Sequence, residues 1–258
     1  MIFDAYYNVD PYKHKRIETR VVKIGNIAIG GSNPVLLQSM CNTSTLDTAA
    51  TVAQAEKIIK AGGELVRMAT ASMKEVENMA RIKDVLRSKG YQTPLVADTH
   101  FKPELALRAA QIVEKVRINP GNFIRSKIPV NEKEYARELV ETEEKLLPLI
   151  ETCKKYNTAV RIGSNHGSLS ERIIHKYGDT PNGMVMSALE FLNIFKKHNF
   201  HNIVLSMKSS NTRVMIHAYR ILMHEMLKTG EVYPLHLGVT EAGAGDDGRI
   251  KSATEIGS

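Results

Sequence analysis

The stretch EKVRINPGN, residues 114–122, places an arginine among β-branched neighbours where a buried strand would be apolar throughout, then turns at Pro120 and Gly121. The same shape returns as LVRM at 65–68 and AVRI at 159–162, so Arg67, Arg117 and Arg161 each stand inside a hydrophobic run. Residues two apart on a strand share a face, which sets Arg117 and Asn119 on one side and Val116 and Ile118 on the other. A strand with one apolar face, and a second face that turns polar toward its C-terminal end, fits a parallel barrel. Helices cover the outside of such a barrel, and ligands are met at its C-terminal rim.

Outward from this strand the pattern repeats. Strands are expected at 34–40 (PVLLQSM), 64–70 (ELVRMAT), 94–100 (PLVADTH), 114–119, 158–165 (TAVRIGSN), 201–208 (HNIVLSMK) and 233–241 (YPLHLGVTE). Helical spacing follows each of the first six, as in the Asp47-capped stretch with Val52, Ala55, Ile58 and Ile59 and in the long charged helix from about 131 to 156. TRVVKIGNIAIGG at 19–31 alternates around Gly25 and Asn26 and reads as a short hairpin, and residues 1–17 read as an extended arm. No GxGxxG turn follows the first strand, which disfavours a doubly wound sheet. The fold expected is therefore α/β, a TIM-like (β/α)8 barrel over residues 18–258 with an N-terminal β-hairpin. Seven strands are counted, and RIKSATEIGS at 249–258 has helical spacing with neither a stop nor a following strand, so truncation before the eighth strand is expected.

With 258 residues and 43% hydrophobic composition, the chain can bury a sizeable core. Lys and Arg outnumber Asp and Glu by 35 to 28, for a net charge of +7, which suits an anionic ligand or a nucleic acid until the charges are placed. Two cysteines, Cys41 and Cys153, are too few for a disulfide framework and too far apart for a CxxC pattern, so a reducing cytoplasm is expected. No apolar run approaches the roughly 18 residues of a membrane helix.

The strand ends collect Gln38 and Asn42, Arg67, Asp98 and His100, Arg117 and Asn119, Arg161 with Asn165 and His166, Ser206 and Lys208 with Ser210 and Asn211, and Glu241. Burying an unpaired charge costs several kcal/mol. Three arginines and a lysine converging on one mouth, opposed by Asp98 and Glu241, therefore call for an anion, and a compact diphosphate suits that many donors. Nucleic acid would need a continuous surface stripe, whereas these residues meet only through the fold. A single strand arginine is as often a partner of a nearby carboxylate; three at equivalent strand ends are not so easily explained. Blander readings apply elsewhere: His217 and His224 as surface or packing residues, the methionines of the later helices as packing, Glu132, Glu134, Glu138, Glu141, Glu143 and Glu144 as a solvated helix face, Cys41 as a small buried residue, and AGAGDDG at 242–248 as an ordinary glycine turn.

Seven blocks in order then carry a resemblance: LLQSMCNT (36–43), GGELVRM (62–68), PLVADTHF (94–101), KVRINPGN (115–122), RIGSNHGSL (161–169), SMKSSN (206–211) and PLHLGVTEAG (234–243). Together they resemble the 4-hydroxy-3-methylbut-2-enyl diphosphate synthase family of the methylerythritol phosphate route to isoprenoids, from about residue 18 onward. The resemblance implies an oxidoreductase that reductively opens 2-C-methyl-D-erythritol 2,4-cyclodiphosphate with loss of water. It implies a TIM-like barrel for the diphosphate, a C-terminal domain holding a [4Fe-4S] cluster on three cysteines, a flavodoxin- or ferredoxin-type electron donor, a homodimer and a cytoplasmic setting, with no nucleic acid or membrane partner. Cys41 and Cys153 do not match the family's cluster cysteines, so this chain is expected to bind no cluster and to be inactive alone. Carried over block by block, Arg67, His100, Arg117, Asn119, Arg161, Asn165 and Lys208 would hold the diphosphate, with Ser206 and Ser210 as hydroxyl donors. Glu241 would act as acid/base or hydroxyl contact, and Asp98 would orient His100 or a basic neighbour. The long stretch after the fourth strand resembles the longer forms of the family, which insert an extra domain.

Two other classes compete. A pterin-binding or methyltransferase-type barrel shares strand-end Asp and Asn residues but would want aromatic residues at the rim, which are few here. A basic RNA-binding module would carry its charge over exposed helices. A metal-dependent hydrolase barrel is weaker, since its first strand would end in paired histidines and this one ends in LQSM.

Overall fold

The computed structural model describes residues 16–124, 127–129 and 131–257. The arm expected over residues 1–17 falls almost wholly outside the described residues.

The hairpin forms as the alternation predicts: β1 (Val22–Ile24) and β2 (Ile27–Ile29) pair antiparallel, with Gly25 at φ +60° in the turn. Six parallel strands follow in sequential order: β3 (Gln38–Met40), β4 (Leu65–Thr70), β5 (Leu95–Thr99), β6 (Lys115–Ile118), β7 (Ala159–Asn165) and β8 (Ile203–Lys208). Between them lie α1 (Thr48–Lys60), α2 (Met73–Ser88), α3 (Pro103–Ala109), α4 (Pro120–Phe123), α5 (Glu132–Tyr156), α6 (Glu171–Tyr177) and α7 (Pro181–Lys197); α8 (Thr212–Thr229) and α9 (Gly245–Ile256) close the described chain. Side-chain caps begin several of these helices: Asp47 accepts from the Ala50 amide, Ser72 from Glu75 and Asn211 from Arg213.

Three expectations need correction. The seventh strand shrinks to a single bridge, Leu205 to Leu235, in which the Leu205 amide donates to Pro234 and His236 donates back to Leu205. Pro234 has no N–H to extend a ladder, and this segment is paired on one side only among the described residues, so an edge bridge is all it sustains. The proline-glycine turn at 120–122 is the one-turn helix α4, with Asn119 as its cap. The glutamate face of α5 is not uniformly solvated. Glu138 turns toward the buried Arg172, and Glu143 pairs with Lys197 and His198.

The pleat divides the strands as the period of two requires. Val66, Met68, Ala97, Val116, Ile118, Val160, Ile162, Leu205 and Met207 face outward into the main core under the helices. On the inner face, Leu65, Val96, Ala159 and Val204 pack against Val22 and Ile24 of the hairpin, which thereby floors the N-terminal end of the barrel. Ile24 is fully buried there. Ile24→Ala is expected to cost about 2–5 kcal/mol, through lost burial and the cavity left behind, in urea unfolding followed by circular dichroism. Above this floor the inner residues become polar.

Candidate functional site

Parallel pairing aligns Asp98 on β5 with Arg117 on β6, and Arg117 with Arg161 on β7. Arg117 is nearly inaccessible; its Nη1 reaches Asp98 Oδ1 at 3.2 Å, and its Nη2 donates to Asn165 Oδ1 at 2.9 Å and to the Gly163 carbonyl at 3.1 Å. Arg67, on β4, brings Nη2 to 3.4 Å from the other carboxylate oxygen of Asp98, and His100 Nε2 lies 3.5 Å from that same oxygen. One carboxylate is thus shared among three basic side chains. Arg161 is 1% exposed, and its Nε and Nη1 make no hydrogen bond, as is true of Arg117 Nε and of the buried Ser206 hydroxyl on β8. Buried donors normally have partners, so these mark where an acceptor belongs.

Gly163 makes the arrangement sterically possible. A methyl group there would lie 2.8 Å from Arg117 Nε and 3.0 Å from Ser206 Oγ. Gly163→Ala should push the guanidinium aside and lower anion affinity by about tenfold, the worth of one charged hydrogen bond, with the circular dichroism spectrum unchanged.

Two charged residues escaped the sequence reading. Lys115, on β6, lies on the inner face two residues before Arg117; it is 1% exposed, and its Nζ donates to Gln38 Oε1 on β3 at 2.9 Å. Continuing the period of two backward from Arg117 would have found it. Glu255, 5% exposed on α9, accepts from the Gly238 amide at 3.0 Å, while the Gly238 carbonyl accepts from Lys208 Nζ at 2.7 Å. No local signal distinguishes Glu255 from the other acidic residues of the chain.

Burial works against the ionised Asp98 carboxylate, but the contact with His100 and the fields of Arg117, Arg67 and Arg161 outweigh it and hold the group well below the usual carboxylate range. Asp98 is therefore a fixed anion. Burial, with Arg67 and Arg117 adding repulsion, pushes Arg161 down to about 9. Burial and the same cluster lower Lys208 to about 7, and burial with Arg161 and Arg67 depresses Lys115 well below its ordinary value. His236 is lowered by burial and by Arg161, Lys208, Lys115 and Arg67. The interior is over-supplied with basic side chains: Arg67, Lys115, Arg117, Arg161 and Lys208 stand against the carboxylates of Asp98 and Glu255.

The remaining predicted residues sit around this centre. Asn165 orients Arg117. Asn119 is buried, but its amide is already engaged, its oxygen capping α4 and its nitrogen donating to Ser168 Oγ at 3.1 Å. Asn42 bonds with Gln54, Asn211 caps α8, and His166 lies near Asp179. Ser210 and Glu241 are exposed, the latter with φ +56°, a left-handed conformation uncommon outside glycine. Cys41 and Cys153 are both buried, and burial pushes their thiols up to about 11 and about 12. Two cysteines are fewer than a four-iron cluster takes as ligands, and no cluster of three potential ligands occurs among the described residues. No described helix is long and apolar enough to cross a membrane.

A groove of about 810 Å³ lies at the opposite, N-terminal end, lined by residues including Arg20, Lys83, Glu114 and His201. Lys83 pairs there with Glu114, Arg20 with Glu231 and Lys154 with Glu151, and the groove holds no buried guanidinium with unpartnered nitrogens, as Arg161 has. The barrel mouth, at the C-terminal ends of the strands, is the better candidate.

Residues 19–258 match the family described as the GcpE TIM-barrel domain. The chain is 52% identical over 254 residues to a Phocaeicola vulgatus protein named 4-hydroxy-3-methylbut-2-en-1-yl diphosphate synthase (flavodoxin), covering 96% of this chain and 41% of the relative. Relatives of the same name from Protochlamydia amoebophila and Akkermansia muciniphila are 51% and 49% identical, over 96% and 98% of this chain and 38% and 44% of their own lengths. The chain thus spans about two fifths of the curated relatives it matches. Among solved structures it resembles dihydropteroate synthase from Thermus thermophilus, with a TM-score of 0.57 at 14% identity over 92% of this chain and 88% of that one. A phospho-2-dehydro-3-deoxyheptonate aldolase from Thermotoga maritima gives 0.56 at 14% identity, over 93% and 61%. At that identity the likeness is one of fold.

Proposed function

The chain belongs to the GcpE TIM-barrel domain family, and on that premise we propose that it is the substrate-binding barrel of a 4-hydroxy-3-methylbut-2-en-1-yl diphosphate synthase. The substrate would be 2-C-methyl-D-erythritol 2,4-cyclodiphosphate, opened reductively with loss of water in isoprenoid biosynthesis. One observation carries the reading: the fully buried Arg161, with two unpartnered nitrogen positions, stands among further cations that Asp98 and Glu255 do not balance.

In this reading Arg67, Arg117, Arg161 and Lys208 bind the two phosphoryl groups, and Ser206 donates its free hydroxyl to them. Asn165 and Asp98 are positioning residues. Asn165 holds Arg117, and Asp98 keeps Arg67, Arg117 and His100 turned toward one another while remaining ionised. Such preorganisation lets the donors meet the anion without reorganising. Asn119 contributes by fixing the start of α4, and Ser210 and Glu241 lie farther out, where Glu241 would face the carbon end of the ligand. Two electrons would come from flavodoxin, the donor in the relatives' name, through a [4Fe-4S] cluster. That cluster lies outside this chain in our reading, because Cys41 and Cys153 are unsuited to it. A cytoplasmic homodimer is the assembly we expect.

Calorimetric titration of the chain tests this directly. The cyclodiphosphate should bind at least about a hundredfold more tightly than a sugar monophosphate, since a second phosphoryl group adds several charged hydrogen bonds. Equal affinity for both, or a preference for a pterin, would overturn the assignment.

A further inference from the structure

Lys115 is not explained by the structure that surrounds it. A lysine buried to 1% exposure ordinarily has a carboxylate partner, yet among the described residues no carboxylate pairs with it. Its Nζ makes one hydrogen bond, across the barrel interior from β6 to Gln38 on β3, and holding a neutral amide does not require a positive charge. Gln38 on β3 touches it, and the charged or titratable groups that act on it are Arg161 on β7, Arg67 on β4 and His236 on the segment after α8; Asp98 on β5, Arg117 on its own strand, and Ser206 and Lys208 on β8 share the inner face nearer the mouth. Val96 and Ala159, level with it on the neighbouring strands, pack with Val204 against the hairpin and put apolar groups around it. Asp98 is occupied by Arg117, Arg67 and His100. The charges that act on Lys115 most strongly are those of Arg161 and Arg67, both of its own sign.

We propose that Lys115 is a proton-linked positioning residue for the bound anion: a neutral amine in the free barrel that becomes an ammonium when a diphosphate seats above it. This rests on the functional reading above. Burial and the neighbouring arginines push the free amine well below its ordinary value, toward its neutral form. An anion that neutralises Arg161 and Arg67 removes that repulsion and adds an attractive field, so a proton is drawn from solvent. The new ammonium then reinforces the arginines from beneath while Gln38 keeps it in place. Protonation and anion binding favour one another, and by linkage each strengthens the other by the same factor.

The experiment titrates the chain with inorganic pyrophosphate at pH 8, in two buffers of different ionisation enthalpy. The buffer dependence of the heat counts protons taken up. Lys208 contributes to that count and pyrophosphate has its own ionisation, but both are common to every chain compared. Lys115→Met removes the titrating group, and Lys115→Arg replaces it with a permanent charge; far-UV circular dichroism checks each fold, and either variant suffices. Each is expected to take up about one proton fewer per ligand than the unaltered chain, with the Met variant binding about tenfold more weakly and the Arg variant within a few fold. Uptake unchanged by the substitution would overturn the inference while leaving the diphosphate site standing. Failure of the unaltered chain to bind pyrophosphate at all would overturn the site and the inference together.

Discussion

Arg161→Met is expected to abolish measurable diphosphate binding and, at the same time, to make the free chain more stable. The two effects have one cause. Arg161 is fully buried, two of its nitrogen positions lack partners, and its nearest charges include Arg67 and Arg117, which repel it. Replacing such a buried charge by an apolar residue of similar length relieves a desolvation cost of several kcal/mol, which exceeds the attraction of Asp98 already shared among Arg117, Arg67 and His100, so a net gain of about 1 kcal/mol is expected. In urea unfolding the variant should therefore shift to a higher midpoint with an unchanged slope. Its affinity for the cyclodiphosphate should fall by at least about a hundredfold, the loss of a buried, charge-assisted contact. Asp98→Asn should do the reverse to the fold. It leaves Arg67, Arg117 and His100 without their shared anion, and breaking a buried pair costs about 3–5 kcal/mol. A variant at Arg161 that loses stability as well as binding would mean that its guanidinium has a structural partner, and the case for a ligand would fail.

The second large effect is one of pH. Lys208 is lowered by burial and by Arg161 and Arg67 to about 7, against an unfolded value of 10.5, and Lys115 and Arg161 are lowered in the same sense. Over the interval between, the unfolded chain binds more protons than the folded one, so stability rises with pH. Asp98, with its depressed value, contributes stability above its ordinary 3.8 that is lost only as pH falls below it, so it is silent near neutrality. Cys41 and Cys153 act in the opposite direction once the unfolded thiols ionise near 9.0, which limits the rise to about pH 7–9. Lys208 is only partly buried, which discounts its share, and a net gain of about 1 kcal/mol per pH unit is expected. Thermal unfolding at pH 7, 8 and 9 should thus show a rising midpoint for the free chain. With saturating pyrophosphate, which restores the protons to the folded state, the rise should flatten. A free chain whose midpoint falls over this range would show that the cations are compensated after all.

The sheet was legible because its rule is short. A period of two in strands such as LVRMAT and KVRIN separates an outer apolar face from an inner polar one, and the register then brings Arg117 level with both Asp98 and Arg161. The same rule applied one step further back would have found Lys115. The bridge at Leu235 could not be told from a full strand by periodicity, although Pro234 signalled a limit on its ladder. Helix α4 was hidden in a stretch that reads equally well as a turn, yet Asn119 followed by a proline is a helix-start signal. Glu255 was illegible in principle. Its contact with Gly238 depends on how α9 returns to the mouth, which no local pattern encodes. Asn119, expected at the ligand from its place at a strand end, also closes a local cap with its amide, a second role that the strand pattern does not signal.

A crystal structure of the chain with the cyclodiphosphate tests the central claim most directly. Phosphoryl oxygens are predicted within hydrogen-bonding distance, about 3 Å, of Arg161 Nη1 and the Ser206 hydroxyl, with Asp98 still paired to Arg117. A ligand seated instead in the groove at the N-terminal end beside Arg20 and Lys83, with the Arg161 nitrogens still unpartnered, would contradict it.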